Sequence, residues 1–304
     1  MTKRDFLMLS DLTLAEARSV LSLAKRMKQE PKGARLQLLA GRAVAIVLEK
    51  ASTRSRVSFE VGCAQLGAHP VVLNVQGSHM ERGEPLRDTA RVLARYCDAI
   101  VYRTSTTARL REMASASIPV VNALSDDGHP VQVLCDVATV EESLGSTIEG
   151  KRVAFVGDCS FNMARSWLEA AGLFGFELVL AGPRSYMPPP AEIERSKAHV
   201  TFVHDPQQAA EGCDVVNTDV WTSMGHETAA RERTEAFDGW MVNERMLSKA
   251  KPGAIVLHCL PAHRGEEIDE ATLEGERSRV WDQAENRLHV QKALLAWILG
   301  AAGA

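Results

Sequence analysis

The chain has 304 residues, a net charge of −4 and 24% charged side chains, with the two signs interspersed. That balance excludes the broad basic field of a nucleic-acid binder and supplies no polybasic run for a membrane surface, so any bound anion must be captured by a local group of cations. With 45% hydrophobic residues and about twice the usual single-domain length, the sequence predicts two domains, each burying its own core.

The N-terminal run MTKRDFLMLSDLT has no apolar leader segment, and no stretch approaches the roughly 18 apolar residues of a membrane span. Six scattered cysteines, Cys63, Cys97, Cys135, Cys159, Cys213 and Cys259, form no C-x-x-C pair. Neither a zinc site nor a redox motif is expected, and a cytoplasmic location is.

Short β-branched runs alternate with amphipathic segments along the whole chain. Strands are expected at 42–49, 69–75, 99–104 and 118–124, with helices such as VSFEVGCAQLG and LRDTARVLARYC between them. A second series follows at 152–158, 177–183, 200–205, 214–220 and 254–260. Nearly continuous apolar strands separated by helices predict an α/β chain of two domains, each a parallel sheet covered by helices on both faces. Residues 131–145 read as a helix ending at a glycine, and AENRLHVQKALLAWILG as a long terminal helix. The expected division is 1–135, with the helix at about 285–304 packing back on it, and 136–284.

In open parallel sheets, ligands sit beyond the carboxyl ends of the strands. After the first strand comes Ala51-Ser52-Thr53-Arg54-Ser55-Arg56, hydroxyls and guanidiniums at a strand-to-helix turn. Such a turn suits an anion, because orphan backbone N–H groups, the helix dipole and the side chains point the same way. A Ser/Thr-rich helix cap with solvated arginines is the plainer reading of that segment alone. Other strand ends add to it: Arg103; Ser125-Asp126-Asp127-Gly128-His129-Pro130-Val131-Gln132; Asp219 followed by Trp221-Thr222-Ser223-Met224-Gly225; and His258-Cys259-Leu260-Pro261 leading to Glu266-Glu267. Gly157-Asp158-Cys159-Ser160-Phe161-Asn162 lacks the G-x-G-x-x-G of a dinucleotide fold, and no Walker A motif is present, so neither NAD nor ATP chemistry is expected.

Ser52-Thr53-Arg54-Ser55-Arg56 resembles the S-T-R-T-R carbamoyl-phosphate signature of the aspartate/ornithine carbamoyltransferase family. GEPLRDTARVLARYCDAIVYR, HP-x-Q at 129–132, TDVWTSMG at 218–225, HCLPAHRGEE at 258–267 and AENRLHVQK at 284–292 resemble its ornithine branch. The resemblance runs nearly end to end. It implies transfer of a carbamoyl group from carbamoyl phosphate to the side-chain amine of L-ornithine, with no cofactor and no metal. It implies that Ser52, Thr53, Arg54, Ser55 and Arg103 hold the phosphate, and that His129, Gln132 and Arg287 bind the carbamoyl end. By the same resemblance Leu124, Asn162, Asp219, Ser223 and Met224 bind ornithine, and Cys259 and Leu260 line the place of transfer. Arg54, Arg103, His129, Cys259 and Arg287 are the implied catalytic set. The family implies carbamoyl phosphate in the first domain, the amino acid in the second, and homotrimers or multiples of trimers in which a loop near Ser78–Gly83 reaches a neighbour.

Three positions depart from the family pattern. Ser55 replaces the usual threonine and keeps its hydroxyl. Phe161 stands at the first position of the usual Asn-Asn pair, leaving Asn162 to meet the head group, and His79 stands where a polar amide is usual.

Free ornithine carries a side-chain amine with a lysine-like pKa near ~10.4, so under ~0.1% is nucleophilic at pH 7. The implied mechanism neutralises the phosphate leaving group with Arg54, Arg103 and the helix terminus, and stabilises a tetrahedral oxyanion with Arg287 and His129. The departing phosphate takes the amine proton. For Cys259, either a thiolate flanked by His258, His263 and Arg264 or a small residue shaping the pocket fits the sequence. The alternative acceptors are aspartate, N-acetylornithine and putrescine. A non-catalytic scaffold should have lost an anion-binding residue, and none is missing.

Overall fold

The computed structural model describes residues 3–31, 34, 36–222 and 230–302. The chain divides into two compact units, one of residues 1–135 with 285–304 and the other of residues 136–284.

The first unit carries β1 (Ala43–Leu48), β2 (His69–Asn74), β3 (Ala99–Arg103) and β4 (Val120–Leu124) in the order β2-β1-β3-β4, with every described pair parallel. Its helices are α1 (Leu14–Gln29), α2 (Thr53–Gln65), α3 (Leu86–Tyr96) and α4 (Thr107–Met113), and it takes the start of α5 (Pro130–Leu144). In β1 the run Val44–Leu48 is buried throughout, whereas the edge strand β2 is only half-buried. This is the pattern of a sheet sandwiched between helices, whose central strand has no polar face. Leu86, Ala90 and Leu93 of α3 and Leu110 and Met113 of α4 pack on Ala45, Val47, Ile100 and Tyr102. The open edge of β4 is covered by the N-terminal segment: Phe6 bridges Val121, giving its N–H to Val120 O at 2.8 Å and taking the N–H of Asn122 at 2.8 Å.

The second unit holds β5 (Arg152–Val156), β6 (Glu177–Ala181), β7 (His199–Val203), β8 (Val215–Thr218) and β9 (Ile255–His258) in the order β7-β6-β5-β8-β9, again parallel. Its further helices are α6 (Asn162–Phe174), α7 (Pro190–Ser196), α8 (Ala230–Ala236), α9 (Glu244–Leu247) and α10 (Glu270–Leu273). The last helix, α11 (Val280–Ile298), gives its residues from Glu285 onward to the first unit. All nine strands expected from the apolar runs are present, each shortened by one to three residues. Those turns, beyond the carboxyl ends, carry the polar residues.

Candidate active site

In the first unit three strand ends converge. Ser52 caps α2 and its hydroxyl accepts the N–H of Ser55 at 3.3 Å, so the helix begins at the turn that follows β1. Within that turn Ser55 is buried, Ser52 and Arg54 are partly buried, and Thr53 and Arg56 are exposed. Arg56 turns away and pairs with Glu60 one helical turn on, at 3.3 Å. Arg103 closes β3, opposite Leu48 of β1 and Leu124 of β4. His129 lies just ahead of α5, whose first position is Pro130, a residue already set for a helix start.

Arg287 joins these turns. Its guanidinium donates to Ser55 Oγ at 2.8 Å and to Gln132 Oε1, and it is 4% exposed. One planar group thus fastens the first turn of α2 to the first turn of α5, with α11 as its stem. His129, also 4% exposed, has its pKa held well below the ordinary histidine value, first by burial and then by the charges of Arg287, Arg103 and Arg54. At neutral pH the imidazole is therefore uncharged and able to give one N–H to an oxygen.

A histidine neutral in the fold titrates nearer ~6.5 when unfolded. As pH falls below that value the unfolded chain takes up a proton that the native chain refuses. Its contribution to stability is thus full above ~6.5 and is lost toward the lower native pKa, by up to about 1.4 kcal/mol per pH unit. Urea unfolding between pH 7.5 and 5.5 is expected to show this loss, and His129→Gln to flatten it. Identical slopes for both proteins would contradict the assignment.

In the second unit the ends of the adjacent strands β5, β8 and β9 form another cluster. Asn162 opens α6 directly after β5, beyond a turn in which Gly157 has φ +133°, a conformation L side chains rarely adopt. Asp219 follows β8; its Oδ1 accepts the N–H of Val220 at 2.8 Å and the Cys259 thiol at 3.1 Å. Burial pushes the Asp219 carboxyl up from its usual range, against the opposing effects of His258, the Cys259 thiol and the Val220 N–H. Leu260 stands in the left-handed region at φ +58° and gives its N–H to His258 Nδ1 at 2.8 Å. The other face of that imidazole meets Glu267 Oε1 at 2.9 Å, and Glu267 also takes the His263 N–H at 2.6 Å. Because Nδ1 accepts, Nε2 carries the proton toward the carboxylate.

This arrangement bears on the two readings of Cys259. His258 is engaged with Glu267 and Leu260, Arg264 pairs with Glu270 and Glu274, and the thiol donates to Asp219. Two of the groups expected to flank a thiolate, His258 and Arg264, are thus engaged elsewhere, and the Cys259 Sγ lies within hydrogen-bond reach of the Asp219 carboxylate. Phe161, which the sequence places ahead of Asn162, packs against a cation. The Arg233 guanidinium lies over the Phe161 ring at 4.7 Å, reaches Asp158 and donates to Trp221 O at 2.8 Å, tying α8 to the turns after β5 and β8.

The strand ends therefore bring Ser52, Arg54, Ser55, Arg103, His129, Gln132 and Arg287 to one cluster, with Leu124 ending β4 in the same unit. Asn162, Asp219, Cys259 and Leu260 share the other cluster, and Ser223 and Met224 lie outside the described residues. Asp219, His258 and Cys259 could each offer a metal one ligand atom, as could His263, Glu266 and Glu267. In both sets the same groups already bond one another or their neighbours. Glu267 has no role assigned from the sequence, although a second carboxylate eight residues beyond Cys259 was the visible signal. No described helix is long and apolar enough to cross a membrane.

Comparison with known proteins gives a consistent result. Residues 4–142 match the family profile "Aspartate/ornithine carbamoyltransferase, carbamoyl-P binding domain", and residues 149–298 match "Aspartate/ornithine carbamoyltransferase, Asp/Orn binding domain". The chain is 68% identical to a curated ornithine carbamoyltransferase of Sorangium cellulosum over 99% of both chains. It is 48% identical to that of Pelobacter propionicus, over 98% of this chain and 99% of the relative. Among solved structures, the ornithine carbamoyltransferase of Pyrococcus furiosus aligns with a TM-score of 0.91 at 43% identity, covering 98% of each chain. That of Thermus thermophilus aligns with a TM-score of 0.90 at 39% identity, over 98% of this chain and 100% of the other.

Proposed function

The chain belongs to the aspartate/ornithine carbamoyltransferase family, and from that premise we infer that it moves the carbamoyl group of carbamoyl phosphate onto the side-chain amine of L-ornithine, giving L-citrulline and phosphate. The observation that carries this reading is Arg287 bridging Ser55 and Gln132 beside an uncharged His129, at the N-terminus of the helix that bears Arg54.

Carbamoyl phosphate presents a dianionic phosphate and a neutral carbonyl. In this reading Ser52, Thr53, Arg54, Ser55, Arg103 and the α2 N-terminus take the phosphate, each charged hydrogen bond being shorter and stronger than a neutral one. Arg287 and the His129 N–H meet the carbonyl oxygen, with Gln132 completing that end. An uncharged imidazole suits the task, since a cationic one would hand its proton to the departing phosphate. The amine nitrogen attacks the carbonyl carbon, negative charge gathers on the oxygen facing Arg287 and His129, and the bond from carbon to the phosphate oxygen then breaks. One such oxyanion donor is typically worth about 3–4 kcal/mol. The leaving phosphate accepts the amine proton, which balances the step without a protein base.

Asp219 takes the ornithine α-ammonium, with Asn162, Ser223, Met224 and Leu124 around the head group. The half-buried, acid-weakened Asp219 gains a counter-charge when ornithine arrives, an interaction that strengthens where water is excluded. Cys259 and Leu260 line the place of transfer, where the thiol aims Asp219. A Cys259→Ser protein with unchanged kcat and KM would remove the thiol from this account.

Assembly as a homotrimer belongs to the same reading. Its support is a pair of apolar stripes at i, i+4 spacing, Val57 with Val61 on α2 and Val92 with Tyr96 on α3, left 40–75% exposed in the single chain. Sedimentation should give three times the 33.2 kDa chain, or a multiple of that; a monomer would contradict it. Six free cysteines fit a reducing cytoplasm, where arginine biosynthesis is the setting proposed.

Incubation with carbamoyl phosphate and ornithine, aspartate, N-acetylornithine or putrescine, followed by a colour test for ureido product, checks the acceptor. Product from ornithine is expected. Preference for any of the other three would overturn the choice.

A further inference from the structure

Glu49 lies just past β1, three residues before Ser52 of the anion-binding turn, and its side chain is only 11% exposed. Its Oε1 accepts from Arg109 Nε at 2.8 Å and Nη2 at 2.6 Å and from the Tyr102 hydroxyl, and its Oε2 accepts from Thr104 Oγ1 at 2.6 Å. Its backbone N–H donates to Arg103 O at 3.0 Å. Tyr102 and Thr104 are fully buried and flank Arg103 on either side. In a strand, neighbours on either side of a residue point to the opposite face. Glu49 therefore holds both neighbours of Arg103 on one face of the sheet through its carboxylate, and the Arg103 carbonyl in the plane through its backbone N–H, which leaves the Arg103 side chain on the other face.

We propose that Glu49, locked by Tyr102, Thr104 and Arg109, is the positioning residue of the phosphate half-site: it sets the direction of Arg103, and Arg109 cancels the negative charge that Glu49 would otherwise hold beside a dianion. The inference rests on the reading of Arg54 and Arg103 as phosphate ligands. Neither Glu49 nor Arg109 touches substrate. Burial alone would push the Glu49 carboxyl up, yet the donors from Arg109, Thr104 and Tyr102 outweigh it and hold the group below its usual range, so the site keeps a full negative charge that needs a partner. Arg109 is 43% exposed, which weakens its charge through solvent, but its Nε and Nη2 both donate to Glu49 Oε1, and two bonds fix the guanidinium better than one.

A purely structural ion pair, pinning α4 to the sheet, would move thermal stability and nothing else. The test uses the full-length protein and the variants Glu49→Gln, Tyr102→Phe, Arg109→Ala and the double variant Glu49→Gln/Arg109→Ala. For each, the Kd of inorganic phosphate is read by calorimetry, and KM for both substrates, kcat and Tm are read well below the melting point. Glu49→Gln is expected to raise phosphate Kd and carbamoyl-phosphate KM by about tenfold, the loss of one charged hydrogen bond. KM for ornithine should stay within about twofold, because the second unit is untouched. Tyr102→Phe, the mildest change, should move the same two constants in the same direction. Arg109→Ala should be worse than Glu49→Gln, and the double variant should recover most of that loss. Lowered Tm with phosphate Kd and carbamoyl-phosphate KM unchanged would overturn the inference, as would a double variant no better than Arg109→Ala. A wild-type protein whose phosphate affinity does not depend on Arg54 would instead sink the phosphate reading itself.

Discussion

Arg54→Gly is expected to abolish measurable carbamoyl transfer while the protein stays folded. Arg54 stands at the second position of α2, partly buried, and its charge reaches His129. A guanidinium gives a phosphate two parallel charged bonds, each worth about 1.5–3 kcal/mol, so losing both removes roughly 3–6 kcal/mol, or two to four powers of ten in kcat/KM for carbamoyl phosphate. The fold has little stake in the side chain, because the cap of α2 is made by Ser52 and the core contacts by Phe59 and Cys63. Glycine near a helix start costs at most about 1 kcal/mol. Steady-state kinetics with thermal melting checks both halves: transfer should fall below detection, and Tm should shift by only a few degrees. A variant with normal carbamoyl-phosphate affinity would contradict the role.

Asp219→Asn separates the second substrate from the first. The amide keeps the size and the hydrogen bond to Val220 but removes the charge that an ammonium needs. Truncating one partner of a buried charged pair costs about 2–5 kcal/mol, so KM for ornithine should rise about thirtyfold or more, with phosphate Kd unchanged. Stability has the opposite sign. Burial raises the Asp219 pKa in the native state, so the native chain holds its proton to a higher pH than the unfolded chain. The charged carboxylate is thus a cost to the apo fold above that pKa, and its removal should leave Tm equal or higher at pH 7.5. As pH falls through the raised pKa the carboxyl becomes neutral, and ornithine binding should weaken there in the wild type but not in the variant. Equal KM values for the two proteins would remove Asp219 from the head-group site.

The architecture was legible because parallel strands buried on both faces spell continuous apolar runs, as Val44–Leu48 and Val153–Val156 do, and because the candidate site residues follow such runs directly. What the sequence could not rank was which polar residues near a strand end face a ligand and which face one another. Arg54 and Arg56 are indistinguishable as letters, yet Arg56 spends its charge on Glu60. Cys259, His263 and Arg264 are neighbours in the chain, yet they bond Asp219, Glu266 and Glu270 respectively. Glu49 read as the last residue of a strand, and its meaning depends on Tyr102, Thr104 and Arg109, more than fifty positions away. Phe161 looked like a lost ligand, and its place under Arg233 required α8 to fold back on the turn after β5. The pairings of Cys259, Glu49 and Phe161 are long-range and those of Arg56, His263 and Arg264 are local choices among several charged neighbours, and a strand-and-helix pattern encodes neither.

The central claim is that the turns after β1, β3 and β4, fastened by Arg287, form a site with one end for a phosphate and one for a carbonyl. A crystal structure of the protein with carbamoyl phosphate alone tests it most directly. The account predicts phosphate oxygens within hydrogen-bond reach of Arg54, Arg103 and the first N–H groups of α2, and the carbonyl oxygen between Arg287 and His129. A phosphate bound elsewhere, or a carbonyl oxygen turned away from Arg287, would contradict it.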